Sequence, residues 1–176
     1  MSNIQAILES GVTTTEQATE AFDQLEAIDC ASMLGRWRGS ELRTGNAMDG
    51  LLEATGWYGK EFVDFDHVHP LLFGSKEKIL KLEPRRLFAG MGLAPIANKI
   101  PGLISLFKLI RPLIQTRHSR ARLRMTEYRG KVTATMQYDH LPINDVFRKV
   151  DNNTVLGVMD LKGMPQPYYF VLRRDS

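Results

Sequence analysis

The C-terminal third of the chain carries the period-two pattern of half-buried β-strands. Between positions 132 and 138, apolar side chains alternate with Thr133, Thr135 and Gln137, so that one face of an extended segment is apolar. Comparable segments recur about every ten residues and are joined by turn residues. The predicted strands span 120–125, 132–138, 143–150, 154–161 and 168–173. Such a succession, with short connections, predicts an antiparallel meander.

The sheet is predicted to begin at a tryptophan between two glycines. Residues 35–39 read Gly-Arg-Trp-Arg-Gly, and glycine lets another segment approach the backbone closely or lets a barrel strand bend. We expect Trp37 to plug one end of a barrel, with its indole N–H donating to a carbonyl. Pairing of this strand with the last strand would close the sheet and remove its exposed edges.

Further short elements are predicted between the first strand and the meander. An aromatic strand is expected over 56–63, where Trp57 and Gly59 would share one face and Tyr58 and Lys60 the other. A single helical turn is expected at 51–54. The remaining segments, expected to be short strands or a strand and a turn, are 76–82 and 86–88.

Two segments have helical periodicity. Residues 14–28 begin with Thr14 or Thr15 as a cap and carry apolar residues at helical spacing, which predicts an amphipathic helix lying across the sheet and covering one mouth of the barrel. Residues 93–114 repeat apolar side chains every three to four positions but contain Pro95, Pro101 and Pro112. Because proline removes a helical hydrogen bond, this segment is predicted to be a kinked helix, either a lid or an insertion outside the barrel.

These motifs resemble a known family. The pentapeptide at 35–39, with 51–60 and 69–73, is similar to the bacterial GXWXG domain family. Residues 128–130 and 151–167 are similar to the domain of unknown function that usually follows it. The resemblance covers most of residues 32–174 and implies no particular activity.

A looser resemblance concerns the lipocalins, the fatty-acid-binding proteins and the nitrobindins. These also begin with a Gly-x-Trp strand and end with a strand whose arginine packs over that tryptophan, a place that Arg173 or Arg174 could take. We therefore predict a mainly β fold, an antiparallel lipocalin-like β-barrel with an N-terminal helix and a kinked helical insertion. The predicted single domain, 1–176, consists of a GXWXG-like half (32–90), the insertion (91–118) and a C-terminal meander (119–176).

Composition narrows the class of protein. A chain of 176 residues can bury a sizeable core without disulfides, and its single cysteine, Cys30, cannot form an internal bridge. The N-terminus has no signal-peptide pattern, and no apolar run reaches the roughly 18 residues that span a bilayer. We expect a cytoplasmic protein.

The net charge of +3 is unevenly distributed. Nine basic residues and no Asp or Glu occur between positions 85 and 126. This block would attract phosphate groups, carboxylate groups or an anionic membrane surface, and membrane contact would be peripheral and through 93–117. Alternatively, it is an ordinary solvated surface. Nucleic acid is not expected, because the block lacks interleaved aromatic residues in a recognised module.

Common catalytic signatures are absent from the sequence. It has no Gly-x-Ser-x-Gly elbow, phosphate loop, Gly-x-Gly-x-x-Gly or zinc-type cysteine pair. Asp145 lies in a predicted central strand and either points outward into solvent or points inward. An inward carboxylate would pair with Arg124 or Arg148, or would act as a general base with a raised pKa, with Tyr138 as its acid partner.

Histidines offer a second set of candidates. His67 and His69 share one strand face, as in several metal sites, but no third ligand lies nearby, so we expect no metal. His69 is instead a candidate pocket residue.

Three functional hypotheses follow. The first is an intracellular protein that binds a small hydrophobic or amphipathic ligand, fatty-acid or isoprenoid-like, with no cofactor. The second is an isomerase, cyclase or lyase that uses Asp145 and Tyr138 on the same barrel. The third is a nitrobindin-like haem protein with His69, His118 or His140 as axial ligand; homodimer formation is left open. The residues expected at the ligand are Trp37, Trp57, Tyr58, His69, Arg124, Met136, Tyr138, Phe147 and Arg148.

Overall fold

Antiparallel strands dominate the computed structural model, which describes residues 3–91 and 102–175. The strands are β1 (Glu26–Ala27), β2 (Gly35–Leu42), β3 (Trp57–Phe62), β4 (Val68–Ser75), β5 (Lys78–Lys81), β6 (Ala121–Tyr128), β7 (Lys131–Tyr138), β8 (Ile143–Lys149), β9 (Thr154–Leu161) and β10 (Tyr168–Arg174). The helices are α1 (Asn3–Ser10), α2 (Thr15–Gln24), α3 (Cys30–Met33), α4 (Leu51–Thr55), α5 (Pro84–Met91) and α6 (Leu103–Ile110), and a 3-10 turn follows at Arg111–Ile114.

Eight of the strands close into a barrel. The ring runs β8, β7, β6, β4, β3, β2, β10, β9 and returns to β8. The last strand closes it by pairing with the first long strand, so that Leu172 lies opposite Gly39 and Arg173 opposite Arg38. The predicted antiparallel barrel is confirmed. Its closure satisfies backbone N–H and C=O groups that would remain unpaired at the edges of an open sheet.

The seam between β4 and β6 is the thinnest part of the wall. These strands pair at Val68 and Ala121. Beyond that pair, the chain before α5 meets the chain after α6: the Glu83 amide donates to the Ile114 carbonyl at 2.9 Å, and Thr116 N–H donates to Lys81 O at 2.9 Å. The helical segment is therefore attached to the wall where the strand ladder is shortest.

Trp37 seals one end of the barrel. Its side chain is fully buried and its indole N–H donates to the Met33 carbonyl of α3 at 2.7 Å. The Arg174 guanidinium stacks 4.3 Å from the Trp37 ring centroid. The predicted plug, its carbonyl partner and the covering arginine are all confirmed, and the stacking contributes about 1 kcal/mol.

The N-terminal helix lies against the outer wall, so the expectation that it covers a mouth is wrong. The Thr14 side chain accepts from Gln17 N–H, which confirms the predicted cap. Phe22 of α2 contacts Tyr128 and Tyr169 edge-on at 6.1 and 6.2 Å. Several outward side chains of β8, β9 and β10 are apolar and need a cover, which α1 and α2 supply. The shared cluster is Ile7, Ala18, Ala21, Phe22, Leu42, Val146, Leu156, Val158, Tyr169 and Val171.

The opposite end of the barrel carries short helices. The inward carboxylate of Glu41 accepts the backbone N–H groups of Gly50 and Leu52 at 2.6 and 2.7 Å, which fastens α4 there. On α6, Phe107 is buried edge-on against Phe73 of β4 at 5.5 Å. The predicted turn at 51–54 is confirmed within α4, and α6 places an aromatic side chain into the interior cluster.

Two local predictions differ from the structure. Residues 86–88 belong to α5, because Pro84 begins the helix at a position where its missing N–H and fixed φ are favourable. In the 93–114 segment, 103–114 form α6 and the 3-10 turn that contains Pro112, whereas Pro95 and Pro101 lie outside the described residues. Among the described residues, no helix combines the length and hydropathy needed to cross a membrane.

A bulge in β3 changes which side chains face inward. Gly59 has φ of +150°, and a Cβ there would stand 2.0 Å from the Trp37 carbonyl oxygen. The register between β3 and β4 shifts on both sides of Gly59. As a result Trp57 and Lys60 both point into the barrel, so the simple alternation predicted for this strand is wrong.

Gly39 makes room for the Trp57 ring. A Cβ at Gly39 would stand 2.3 Å from two ring atoms of Trp57, whereas a Cβ at Gly45 would meet nothing within 4 Å. We expect Gly39→Ala to lower the free energy of unfolding by about 3 kcal/mol through overpacking. The control is Gly45→Ala. Gly45 has φ of +83°, so this substitution should lower the free energy of unfolding only by the strain of a left-handed backbone, about 1 kcal/mol. Urea denaturation would measure both, and equal costs would contradict the close-approach argument.

Candidate ligand-binding site in the barrel

A buried ion pair lies inside the barrel. Lys60 Nζ of β3 is 2.7 Å from Asp145 Oδ2 of β8, and the two side chains are 3% and 2% exposed. Lys60 Nζ also donates to the Pro70 carbonyl at 3.2 Å. The Gly59 bulge turns the lysine inward, and β8 presents the aspartate on its inner face, between Ile143 and Phe147.

Aromatic rings surround the lysine. Its Nζ is 5.1 Å from the ring centroid of Phe170, 5.6 Å from Trp57 and 5.9 Å from Tyr138. Phe147 contacts Phe170 edge-on at 6.2 Å and adds a further ring to this aromatic cluster. The ring faces attract the cation and exclude water, so Lys60 is held in an apolar box. Below, the term aromatic box means Trp57, Tyr138 and Phe170 around Lys60.

Two polar atoms at this pair have no hydrogen-bond partner within the described part of the chain. These are Asp145 Oδ1, an acceptor, and Trp57 Nε1, a donor, and both are buried. Leaving such groups unsatisfied costs about 1–3 kcal/mol each, and native interiors contain few of them. Asp145 Oδ1 can accept, and Trp57 Nε1 can donate, a hydrogen bond that the described structure does not supply.

Burial sets the protonation of the two acidic groups. It raises the pKa of the Asp145 carboxyl above the ordinary value of 3.8, while the charge and hydrogen bond of Lys60 oppose this. Burial also raises the pKa of Tyr138 well above 10, and the nearby Asp145 charge adds to the effect. Tyr138 therefore keeps its proton near neutral pH.

The structure corrects the predicted partner of Asp145. The residue points inward, but it pairs with Lys60 and with neither predicted arginine. Arg148 lies under α2 on the outer wall, where its guanidinium stacks 4.8 Å from the Phe22 ring and donates to Tyr128 O at 2.7 Å. Arg124 is exposed and forms an ion pair with Asp66 at 2.5 Å. Because the outward face of each strand carries these arginines, neither meets a group inside the barrel.

The other candidates divide between the interior and the wall. Met136 and Phe147 belong to the interior cluster with Trp37 and Trp57. Tyr58 instead donates its hydroxyl to Asp175 at 2.8 Å, beside Arg36. Tyr58 follows the inward Trp57 in regular alternation, so it faces away from that cluster.

The three candidate axial histidines lie outside the interior cluster. His69 is buried beside Lys81 and Glu61, and desolvation followed by the charge of Lys81 lowers its pKa. His118 and His140 are exposed. Within 3–91 and 102–175, no group of three or more His, Cys, Asp or Glu side chains is arranged to hold a metal ion.

Lys60 is the site residue that sequence reasoning missed. A lysine in an amphipathic strand is normally assigned to the solvent face, because an unpaired ammonium is costly to bury. The signal was the preceding glycine between two aromatic residues and this lysine, since glycine within a strand marks a bulge or a close approach.

Two cavities lie at the surface of the described structure. One, of about 340 Å³, opens beside the end of the barrel opposite Trp37. It is lined by Asn46, Ala47, Met48, Leu161, Lys162, Gly163, Met164, Pro165 and Gln166. Leu161 belongs to the interior cluster and Met48 and Met164 pack against it, so this cavity adjoins the apolar interior. The other, of about 460 Å³, is lined by Glu83, Arg85, Arg86, Arg120 and His140.

Comparison with known proteins identifies the family. Residues 20–78 match the family described as "GXWXG protein", and residues 119–174 match "Domain of unknown function (DUF4334)". A crystal structure of a protein from Thermomonospora curvata is similar over 98% of this chain and 96% of that chain, with 35% sequence identity and a TM-score of 0.72. The chain belongs to the GXWXG family, with a DUF4334 domain after it. No curated protein matches.

The GXWXG motif shapes the surroundings of the ion pair. In this GXWXG protein the tryptophan of the motif seals the base, and its second glycine, Gly39, leaves the space that the Trp57 ring occupies. Asp145 and Tyr138 come from the DUF4334 half, and Lys60 and Trp57 come from the GXWXG half. The ion pair therefore joins the two family domains across the barrel interior.

Removal of Lys60 tests the energetic role of the pair in this GXWXG protein. Lys60→Met leaves the buried Asp145 uncompensated and should lower the free energy of unfolding by about 3–5 kcal/mol at neutral pH. The double variant Lys60→Met/Asp145→Leu should recover most of that loss. The control Arg124→Met breaks an exposed pair and should cost less than about 1 kcal/mol. Urea denaturation of the set measures the coupling, and an equal loss in the single and double variants would contradict it.

The same variant has a predicted pH dependence. The folded-state pKa of Asp145 is already raised, and loss of Lys60 should raise it further. Stability that depends on the protonated carboxyl is present below the ordinary pKa of Asp and is lost as the pH rises through the raised value. The stability deficit of Lys60→Met should therefore shrink on acidification, and denaturation midpoints across pH measure it. A deficit independent of pH would exclude the buried carboxyl as its cause.

Proposed function

We propose that this barrel binds a small hydrophobic or amphipathic molecule whose single polar group is a hydroxyl. The observation that carries the proposal is the unsatisfied pair of atoms beside Lys60, Asp145 Oδ1 and Trp57 Nε1. A hydroxyl donates one hydrogen bond and accepts others, so it matches both the carboxylate acceptor and the indole donor.

Charge favours a neutral polar group over an anionic head. Lys60 and Asp145 already neutralise each other at 2.7 Å, and Arg124 and Arg148 point away from the interior. A carboxylate entering this space would be an uncompensated charge in apolar surroundings, which is costly. Of the two ligand classes expected from the sequence, an isoprenoid-like alcohol therefore fits better than a fatty acid.

The side chains of the barrel interior suit the apolar part of such a ligand. Met136, Met159, Phe147 and Ile143 lie in the interior cluster, and methionine adapts to ligands of irregular shape. The cavity of about 340 Å³ beside Leu161 is within the size range of small-molecule sites. Lys60, Asp145 and Trp57 do not line this cavity, so we propose that the apolar part of the ligand lies near Leu161 and its hydroxyl deeper in the interior.

Calorimetric titration with three matched probes tests the proposal. The probes are an isoprenoid alcohol of about fifteen carbons, the corresponding acid and the corresponding hydrocarbon. The alcohol should bind at least about tenfold more tightly than the hydrocarbon, because a hydrogen bond to a charged group contributes about 1.5–3 kcal/mol. Equal affinity for the alcohol and the hydrocarbon, or a preference for the acid, would contradict it.

Two variants make the titration specific. Trp57→Phe removes the indole donor and keeps an aromatic ring, so it should weaken alcohol binding about fivefold while hydrocarbon binding changes little. Arg124→Ala removes the exposed arginine and should leave all three affinities unchanged. Native mass spectrometry of the purified protein after exposure to a lipid extract gives an independent readout, since a chain that carries no small molecule argues against the proposal.

Catalysis on the same barrel is a second candidate, favoured by one observation. Asp145 Oδ1 is an acceptor without a hydrogen-bond partner in the described part of the chain, and the pKa of the Asp145 carboxyl is raised. The protonated Tyr138 hydroxyl belongs to the aromatic box around Lys60. A carboxylate and a neutral phenol are the base and acid that an isomerase needs to move a proton between two carbon atoms of one substrate. Deuterium incorporation from solvent into a bound unsaturated alcohol, followed by mass spectrometry, would reveal this, and its absence would leave a binding protein.

A further inference from the structure

Helix α6 is apolar on two opposite sides. Its inner side buries Phe107 against Phe73 at a ring separation of 5.5 Å. Its outer side exposes Leu106 by 51% and Leu109 by 75%, and the following turn exposes Leu113 by 77%. A helix in contact with one core normally presents polar residues to water on its other side. This segment is therefore suited to apolar surroundings on both sides.

The three exposed leucines form one stripe. Positions 106, 109 and 113 are three and four residues apart, which places them on the same side of a helical segment. We call these residues the leucine stripe. Leucines grouped in this way mark an interaction surface more strongly than the same residues scattered singly.

Cations border the leucine stripe, without acidic residues. Residues 102–118 contain Lys108, Arg111 and Arg117 and no Asp or Glu. The cavity of about 460 Å³ adds Arg85, Arg86 and Arg120. The Glu83 amide donates to the carbonyl of Ile114, the residue after Leu113, so this basic cavity follows directly on the stripe. The carboxylate in its lining, Glu83, is ion-paired with Arg120.

We propose that the leucine stripe docks the protein onto an anionic phospholipid surface. The leucines enter the boundary between headgroups and acyl chains, while Lys108, Arg117 and the basic cavity contact lipid phosphates. A second copy of the chain fits this face less well, because a twofold interface would set the same cations against one another with no acidic residue in 102–118 to pair them. The proposal stands apart from the proposed ligand, since it involves the outer side of α6.

Vesicle flotation tests the docking with the full-length protein and no added ligand. Neutral vesicles are phosphatidylcholine alone, and anionic vesicles contain about 30% phosphatidylglycerol. The protein should float with anionic vesicles at least about tenfold more efficiently than with neutral ones, and added salt should weaken this binding. Equal flotation with both, or none with either, would overturn the proposal.

Three variants separate the contributions. Leu109→Glu/Leu113→Glu should reduce the anionic-vesicle partition coefficient at least about tenfold, and Lys108→Glu/Arg117→Glu should reduce the preference for anionic vesicles at least about fivefold, since the arginines of the basic cavity remain. Val132→Glu is the matched control, because Val132 is 56% exposed on β7 and its substitution should change nothing. Unchanged binding by the leucine variant, or an equal loss in the control, would overturn the proposal.

The oligomeric state decides between a membrane and a second copy. Light scattering after size-exclusion chromatography should give the same molar mass for the unmodified chain and for Leu109→Glu/Leu113→Glu. A dimer that this variant dissociates would assign the leucine stripe to self-association and overturn membrane docking. Because vesicle binding needs no ligand in the barrel, failure of the alcohol titrations and failure of flotation remain separate results.

Discussion

A lysine and an aspartate facing each other inside a barrel impose strict requirements on everything around them. Two charges removed from water are stable only when they are close, hydrogen-bonded and surrounded by suitable groups. Here Lys60 and Asp145 are 2.7 Å apart, Pro70 supplies a carbonyl, and aromatic faces surround the ammonium. Each requirement traces to a local feature of the sequence: the bulge at Gly59 turns the lysine inward, and Gly39 lets the Trp57 ring reach it.

Much of the barrel could be predicted from the sequence because its information is local. The alternation from 120 to 173 specified five strands, and these appear as β6 to β10. The glycines around Trp37 indicated a plugged end, and the Met33 carbonyl and Arg174 complete it. Periodicity and turn residues act within a few positions, so no knowledge of the tertiary structure was needed.

The site was harder to predict because it depends on contacts between distant segments. Asp145 could be placed on a central strand with its direction left open, but its partner lies 85 positions earlier and faces inward only because a bulge interrupts the alternation. Arg124 and Arg148 were more obvious cations, yet both lie on the outward face of their strands. The position of α2 was missed for the same reason, since an amphipathic helix specifies that it covers an apolar surface and does not specify which one.

The barrel wall is uneven around its circumference, and this has a mechanical consequence. Four of the eight neighbouring strand pairs are joined by six or more residue pairs, with eight between β6 and β7, whereas β4 and β6 pair at Val68 and Ala121. Separating two strands requires breaking the hydrogen bonds between them, so we expect local opening to begin at this seam, where the strand ladder is shortest. The cylinder is thus weakest along the line where α5 and α6 are attached, and a fluctuation that parts the wall there would move those helices first.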